Sequence, residues 1–186
     1  MLSHIKNRRS VYTQFFTDKP VDKAIISALL DAANHAPNHK KTEPWRFRVY
    51  TGDGKKQLHQ EVISVFETLR GPDTWSEKLD KKFGGFFTKS PVVIAIFLHR
   101  DPAESLPEWE EIAAVGCAVE NLWTSLDSYN LGGYWSSPTF LCDSYGQWPS
   151  AADNEKCLGL FYLGYHEAPE LPRQRGNWED KVSWVE

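Results

Sequence analysis

Apolar positions recur at two different periods along this chain of 186 residues, and the switches between them outline its elements. Ile25, Ile26, Leu29, Leu30 and Ala33 fall at helical spacing and give one apolar stripe. Asp22 can cap that helix, and Pro37 ends it, because proline lacks an amide hydrogen and restricts the residue before it. Residues 2–9 read as a shorter helix with Ser3 as its cap. Trp45, Phe47 and Val49 then alternate with Arg46, Arg48 and Tyr50, the period of a half-buried strand, and Thr51-Gly52-Asp53-Gly54 turns the chain. Leu58, Val62, Val65, Phe66 and Leu69 return to helical spacing. Residues 70–89 are charged and broken by glycine, which predicts a mobile surface excursion with some helix. The continuous run Val92 to Leu98 after Pro91 predicts a buried strand.

A long helix is predicted over residues 109–129, carrying Ile112, Val115, Val119, Leu122 and Leu126. The small residues Ala113, Ala114, Gly116 and Cys117 would let a second helix approach it closely. Residues 132–137 and 157–165 read as third and fourth strands. The tail from Glu167 to Glu186 is rich in proline and charge, with Trp178 and Trp184 as expected anchors. Helices and strands alternate without a repeat or a linker. The pattern therefore predicts one domain over residues 1–186, of the α+β class and built as an α/β three-layer sandwich.

A net charge of −4 supplies no field that would favour nucleic acid. Aromatic residues make up 13% of the chain, 8 of them Trp, so stacking surfaces for a planar ligand exist, although core packing uses the same residues. The cysteines Cys117, Cys142 and Cys157 are odd in number and have no C-x-x-C spacing, which argues against a disulfide framework and a zinc site. Cys117, within an apolar helix, reads as a buried, inert thiol. No apolar leader or membrane-length segment is seen, so a cytoplasmic protein with no nucleic-acid or membrane partner is expected.

Candidate chemistry gathers in two places. Arg8-Arg9-Ser10 sets two guanidinium forks beside a hydroxyl, a donor set that matches phosphate oxygens. A solvated helix end would look the same. About thirty residues on, the polar loop from His35 to Pro44 runs into the strand at Trp45. Together they point to a pocket for a phosphorylated cofactor. No G-x-G-x-x-G follows a strand and no P-loop is present, so a nicotinamide cofactor would have to share a pocket with other ligands. His35 and His39 stand four apart, but Pro37 between them spoils the helical geometry a metal would need, and no metal is expected. No G-x-S-x-G elbow supports a serine hydrolase, and no residue is singled out as catalytic.

Four stretches stand in a telling order: Arg8-Arg9-Ser10; Ala36-Pro37-Asn38-His39 through Pro44-Trp45-Arg46-Phe47; Gly132-Gly133-Tyr134-Trp135-Ser136-Ser137; and Leu163-Gly164-Tyr165. In that order the chain resembles the nitroreductase family of FMN-dependent NAD(P)H oxidoreductases, in particular its short-chain, YdjA-type branch. The resemblance implies a central, mostly antiparallel sheet flanked by helices. It also implies a homodimer with FMN at the subunit interface, the long helix forming part of that interface. Arg8, Arg9 and Ser10 would hold FMN from one subunit, and His35 and His39 would approach from the other. Trp135, Ser136 and Ser137 would line the pocket. Arg175 would be a late phosphate ligand, with Arg173 as its competitor. The implied reaction is ping-pong electron transfer from NAD(P)H to a nitroaromatic, quinone or enone acceptor. Tyr12 departs from the family pattern, where many members carry a basic residue near the flavin pyrimidine; Glu43 and His35 replace other common residues. A flavin store or sensor without reductase turnover, and a flavin-free interaction protein, are the alternatives.

Overall fold

The parity of side chains on two central strands decides the architecture. In the computed structural model, which describes residues 2–142, 145–169 and 175–186, the strands are β1 (Trp45–Thr51), β2 (Val92–His99), β3 (Leu131–Ser136) and β4 (Glu155–Tyr165). They form one sheet in the order β1-β2-β4-β3, every neighbouring pair antiparallel. Along β2, Val92, Ile94, Ile96 and Leu98 point to one core, and Val93, Ala95 and Phe97 to another. A strand covered on both faces has no polar side, which is why it reads as an unbroken apolar run.

The helices are α1 (Leu2–Asn7), α2 (Lys23–Asn34), α3 (Gly54–Arg70), α4 (Glu77–Lys89), α5 (Glu108–Ser125) and α6 (Thr139–Cys142). Helices α2 and α5 supply one core; α3, α4 and α6 supply the other, so the expected three-layer α+β arrangement is present. The Asp22 side chain accepts the Ala24 amide at 2.8 Å, the cap its position predicted. Asn121 of α5 donates to the Ala32 carbonyl at 3.2 Å and ties α5 to the end of α2.

Five expectations are corrected. Ser3 lies inside α1 and is not its cap; the helix stops at Asn7, so Arg8 and Arg9 follow its end. Residues 77–89 form an ordered helix, capped by Ser76, whose Phe83 and Phe87 are buried. Gly84-Gly85 and the flanking charges hide an apolar stripe that tertiary packing makes worthwhile. In β1, Tyr50 is buried and Val49 is exposed, because α3 covers the face expected to meet solvent. Ala114 packs into the first core, while Cys117, one turn on along α5, is exposed. Trp178 and Trp184 anchor nothing among the described residues, being 60% and 78% exposed.

Candidate functional site

Strand β3 opens with two glycines, and their missing side chains make room for the N-terminal segment. A Cβ on Gly132 would come within 2.7 Å of Val11 Cβ, and one on Gly133 within 2.8 Å of the Tyr162 carbonyl. With that space free, Ser10 bridges Gly133 in parallel and the Val11 amide donates to the Gly133 carbonyl at 3.0 Å. The glycine pair thus serves close approach within a strand, not a turn. Its consequence is to hold Arg8 and Arg9 over the start of β3.

There they line a small groove of about 60 Å³ with Trp123, Gly132, Gly133 and His166. The Arg8 guanidinium lies 4.4 Å from the Trp123 ring centroid, and its Nε faces Glu120 Oε1 at 3.2 Å, leaving the forked terminal nitrogens outside that pair. Arg9 donates to the Pro169 carbonyl at 2.7 Å and the Ala168 carbonyl at 3.3 Å. Trp123 Nε1 is buried and has no hydrogen-bond partner among the described residues. A buried donor without an acceptor is costly, so a group that accepts from it is favoured there. Burial first, then the Arg9 charge, holds the His166 imidazole below its ordinary pKa and favours the neutral ring. Its Nδ1 accepts from the Ala168 amide at 3.2 Å.

The other end of β3 is set by a bulge. Register against β2 shifts between Ile96 and Phe97, which leaves Leu158 as the extra residue of β4, and Gly159 takes φ 125°. A Cβ at Gly159 would stand 2.3 Å from the Ser136 carbonyl, so only glycine lets β3 close here. Trp135 Nε1 donates to the freed Leu158 carbonyl at 2.9 Å. Half-buried Ser136 and exposed Ser137 then edge a cavity of about 520 Å³, walled by Tyr12, Phe83, Phe86, Tyr134 and Phe140. Tyr12 lies 5.0 Å from Tyr134, which stacks on Tyr162 at 5.0 Å. Burial pushes the Tyr134 hydroxyl up to about 12. At roughly 3.3 Å per residue, Gly133 and Ser136 are about 10 Å apart, so groove and cavity are the two ends of one strip.

Not every sequence candidate joins that strip. Ser10 is exposed and held by its backbone. His35 Nδ1 bonds the Asp31 carbonyl at 2.8 Å, and His39 Nδ1 meets Glu110 Oε2 at 2.8 Å. Glu110 and the Glu120 that faces Arg8 are ten residues apart on α5, roughly 15 Å along the helix. Within one chain the histidines and arginines therefore sit toward opposite ends of α5. Arg175 is exposed, and Arg173 lies outside the described residues. Trp123 and the α4 aromatics are candidate site residues that the sequence concealed: the first stands inside the long helix, the others in a stretch that reads as a surface excursion. The spacing of Leu79, Phe83 and Phe86 was the signal that could have found the second set. A larger cavity of about 670 Å³ between α2 and β1 shares no lining residue with either end of the strip. No cluster of three or more His, Cys, Asp or Glu side chains among the described residues could hold a metal ion.

A four-stranded antiparallel sheet between helical layers, with a cationic groove and an aromatic cavity at the two ends of one edge strand, defines an α+β sandwich with a candidate binding strip. Among such sandwiches, the chain belongs to the nitroreductase family, whose profile matches residues 5–165. It is 30% identical over 172 residues to YfhC of Bacillus subtilis strain 168, provisionally named an NAD(P)H nitroreductase, covering 91% of this chain and 87% of the relative. YdjA of Escherichia coli strain K12, provisionally named in the same way, is 26% identical over 132 residues, 68% of each chain. Among solved structures the fold is shared with the FMN-dependent nitroreductase NfnB of Mycobacterium smegmatis in complex with NADPH. That match has a TM-score of 0.72 at 15% identity, over 100% of this chain and 97% of the neighbour.

Proposed function

We propose that this chain, a single domain over residues 1–186, is a cytoplasmic FMN-dependent NAD(P)H oxidoreductase acting as a homodimer. The observation that carries the reading is the strip along β3. It sets guanidinium forks and an unsatisfied indole N–H at one end and an aromatic cavity of ring size at the other. A cofactor with a phosphate and a planar ring at its two ends fits that strip. NfnB, which shares the fold, is FMN-dependent and holds NADPH, and the relatives' names also point to NAD(P)H.

In this reading Arg8 and Arg9 hold the phosphate end from the groove, with the exposed Ser10 hydroxyl beside them and Arg175 as further candidates. Trp135, Ser136 and Ser137 line the ring end. His35 and His39 come from the second copy. The exposed face of α5, with Trp109, Ala113 and Cys117 on it, supports this assembly. Antiparallel packing of α5 on its copy would bring the Glu110 end, which carries His39, beside the partner's Arg8 end. Bound FMN would supply the two-electron redox chemistry between NAD(P)H and the acceptor. The protein orients both ligands against one face and excludes water with the rings of Tyr12, Phe83 and Phe140. One shared cavity means that the oxidised nicotinamide leaves before a nitroaromatic, quinone or enone acceptor enters, which is ping-pong kinetics.

The decisive test is Arg8→Ala. A charge-assisted phosphate contact is worth about 1.5–3 kcal/mol, so FMN affinity should drop by about one to two decades while the chain stays folded. Wild-type affinity in that variant would remove the phosphate assignment. Double-reciprocal plots at several acceptor concentrations should be parallel; intersecting lines would exclude the shared cavity. Flavin that binds but is not bleached by NADH or NADPH without oxygen would favour a store or sensor.

A further inference from the structure

One wall of the aromatic cavity is a single face of α4. Leu79, Lys82, Phe83 and Phe86 are spaced three, four and seven residues apart, so they share one side of the helix and all line the cavity. Lys82 is the anomaly on that stripe. None of the other lysines of this helix lines the cavity, and Lys81 pairs with Glu77. Lys82 makes no ion pair among the described residues; its ammonium lies 5.8 Å from the Phe83 ring centroid. It is also the only charged residue lining the cavity among the described residues. The hydroxyls of Thr13, Ser136 and Ser137 and the amide of Gln14 complete the polar edge. Among the described residues, the result is a flat-walled space with Lys82 as the one unpaired charge at its rim.

We propose that this cavity, with the flavin ring at its Ser136 edge, selects at its α4 wall planar aromatic acceptors bearing a negative substituent, and that Lys82 sets the preference. The proposal rests on the oxidoreductase reading above. The rings of Phe83, Phe86, Tyr134 and Phe140 accept a flat ring edge-on or offset, which is the favoured geometry for aromatic pairs. Lys82 is exposed, so its ammonium stays in water, where it meets a carboxylate on the outward edge of the ligand. A cationic substituent placed there is repelled by the same charge. Because the amine is exposed, the discrimination is modest and sensitive to salt.

The test compares 4-nitrobenzoate with 4-nitrobenzamide, which share a ring and a shape and differ in charge, as acceptors for the flavin-loaded protein. The readout is the change in the KM ratio of the two compounds between wild type and variant, since that change cancels their different reducibility. Lys82→Gln should shift the ratio against the benzoate by about two- to fivefold, and Lys82→Glu should shift it further in the same direction. High salt should shrink the wild-type preference. A ratio that does not move in Lys82→Glu overturns the proposal. So does an effect confined to the KM of NAD(P)H, which would assign the lysine to the phosphates of the donor. Calorimetric titration with 2-naphthoate and 2-naphthamide, neither of which is reduced, repeats the comparison without turnover. Should the protein reduce no acceptor, the oxidoreductase reading fails, while equal affinity for the two naphthalenes fails the charge preference separately.

Discussion

The two faces of the sheet are built from different side chains, and the chemistry follows the difference. Between the sheet and helices α2 and α5 the buried core is aliphatic or small, with Leu29, Ala33, Val115, Ala118 and Leu122 prominent; Trp45 and Phe161 are its buried aromatics. Between the sheet and helices α3, α4 and α6 the core carries Tyr50, Phe83, Phe87, Phe97, Tyr134, Trp148 and Tyr162. Small aliphatic groups pack without polar atoms and leave nothing to satisfy. Large rings bring phenol and indole tips inside, and they leave gaps at the edge of the layer where rings cannot tile. Glu61 answers one such demand by accepting from Tyr50 at 2.6 Å, Gln57 at 2.9 Å and Trp148 at 3.0 Å. Burial, and then the Glu61 carboxylate, hold the Tyr50 phenol well above its ordinary range. The gap at the edge is the cavity beside Ser136.

If the aliphatic face is the tighter one, the largest loss should come from opening a hole in it. Leu29 is fully buried, and Leu29→Ala should lower stability by about 2–5 kcal/mol, read from urea unfolding. A loss under about 1 kcal/mol would mean that this face collapses easily, and the contrast with the aromatic face would break. Next in size is Glu61→Ala, which strands the Tyr50 hydroxyl and the Trp148 N–H in the interior. It should cost about 1–3 kcal/mol, with Glu61→Gln recovering part of the loss. Equal stability of the alanine variant would show that water already serves those donors. The smallest effect carries the opposite sign. Tyr162 is buried on the aromatic face and its hydroxyl has no partner among the described residues, while burial raises its pKa well above the ordinary phenol range. Tyr162→Phe should leave stability unchanged or raise it by up to about 1 kcal/mol. A clear loss in that variant would place a bound water or ligand on the hydroxyl.

Elements whose burial repeats with a local period were legible in the sequence. The stripe of α2, the stripe of α3 and the unbroken run of β2 each follow from packing one or both faces of a single element. The parity break on β4 was not legible: Cys157 and Leu160 face the same core although they are three residues apart, because the bulge at Leu158 inserts one residue. Helix α4 was hidden for another reason. Its helix propensity is spoiled by Gly84-Gly85, and its stability comes from burying Phe83 and Phe87 against a sheet that the segment alone cannot reveal.

The sequence by itself determined the order of the motifs and the covered faces of α2, α3 and β2. These depend on neighbours within a few positions, where spacing dictates which side chains share a face. Only the tertiary structure decided that Gly132-Gly133 is a seat for residues 10–11, that Trp123 is left with an unsatisfied N–H beside Arg8, and that His39 stands about three turns of α5 away from that groove. It alone set Lys82 beside Tyr12, Tyr134 and Ser136. The strand order β1-β2-β4-β3 pairs residues as far apart in sequence as Val92 and Leu163, and no local period records which distant surfaces an antiparallel sheet will join.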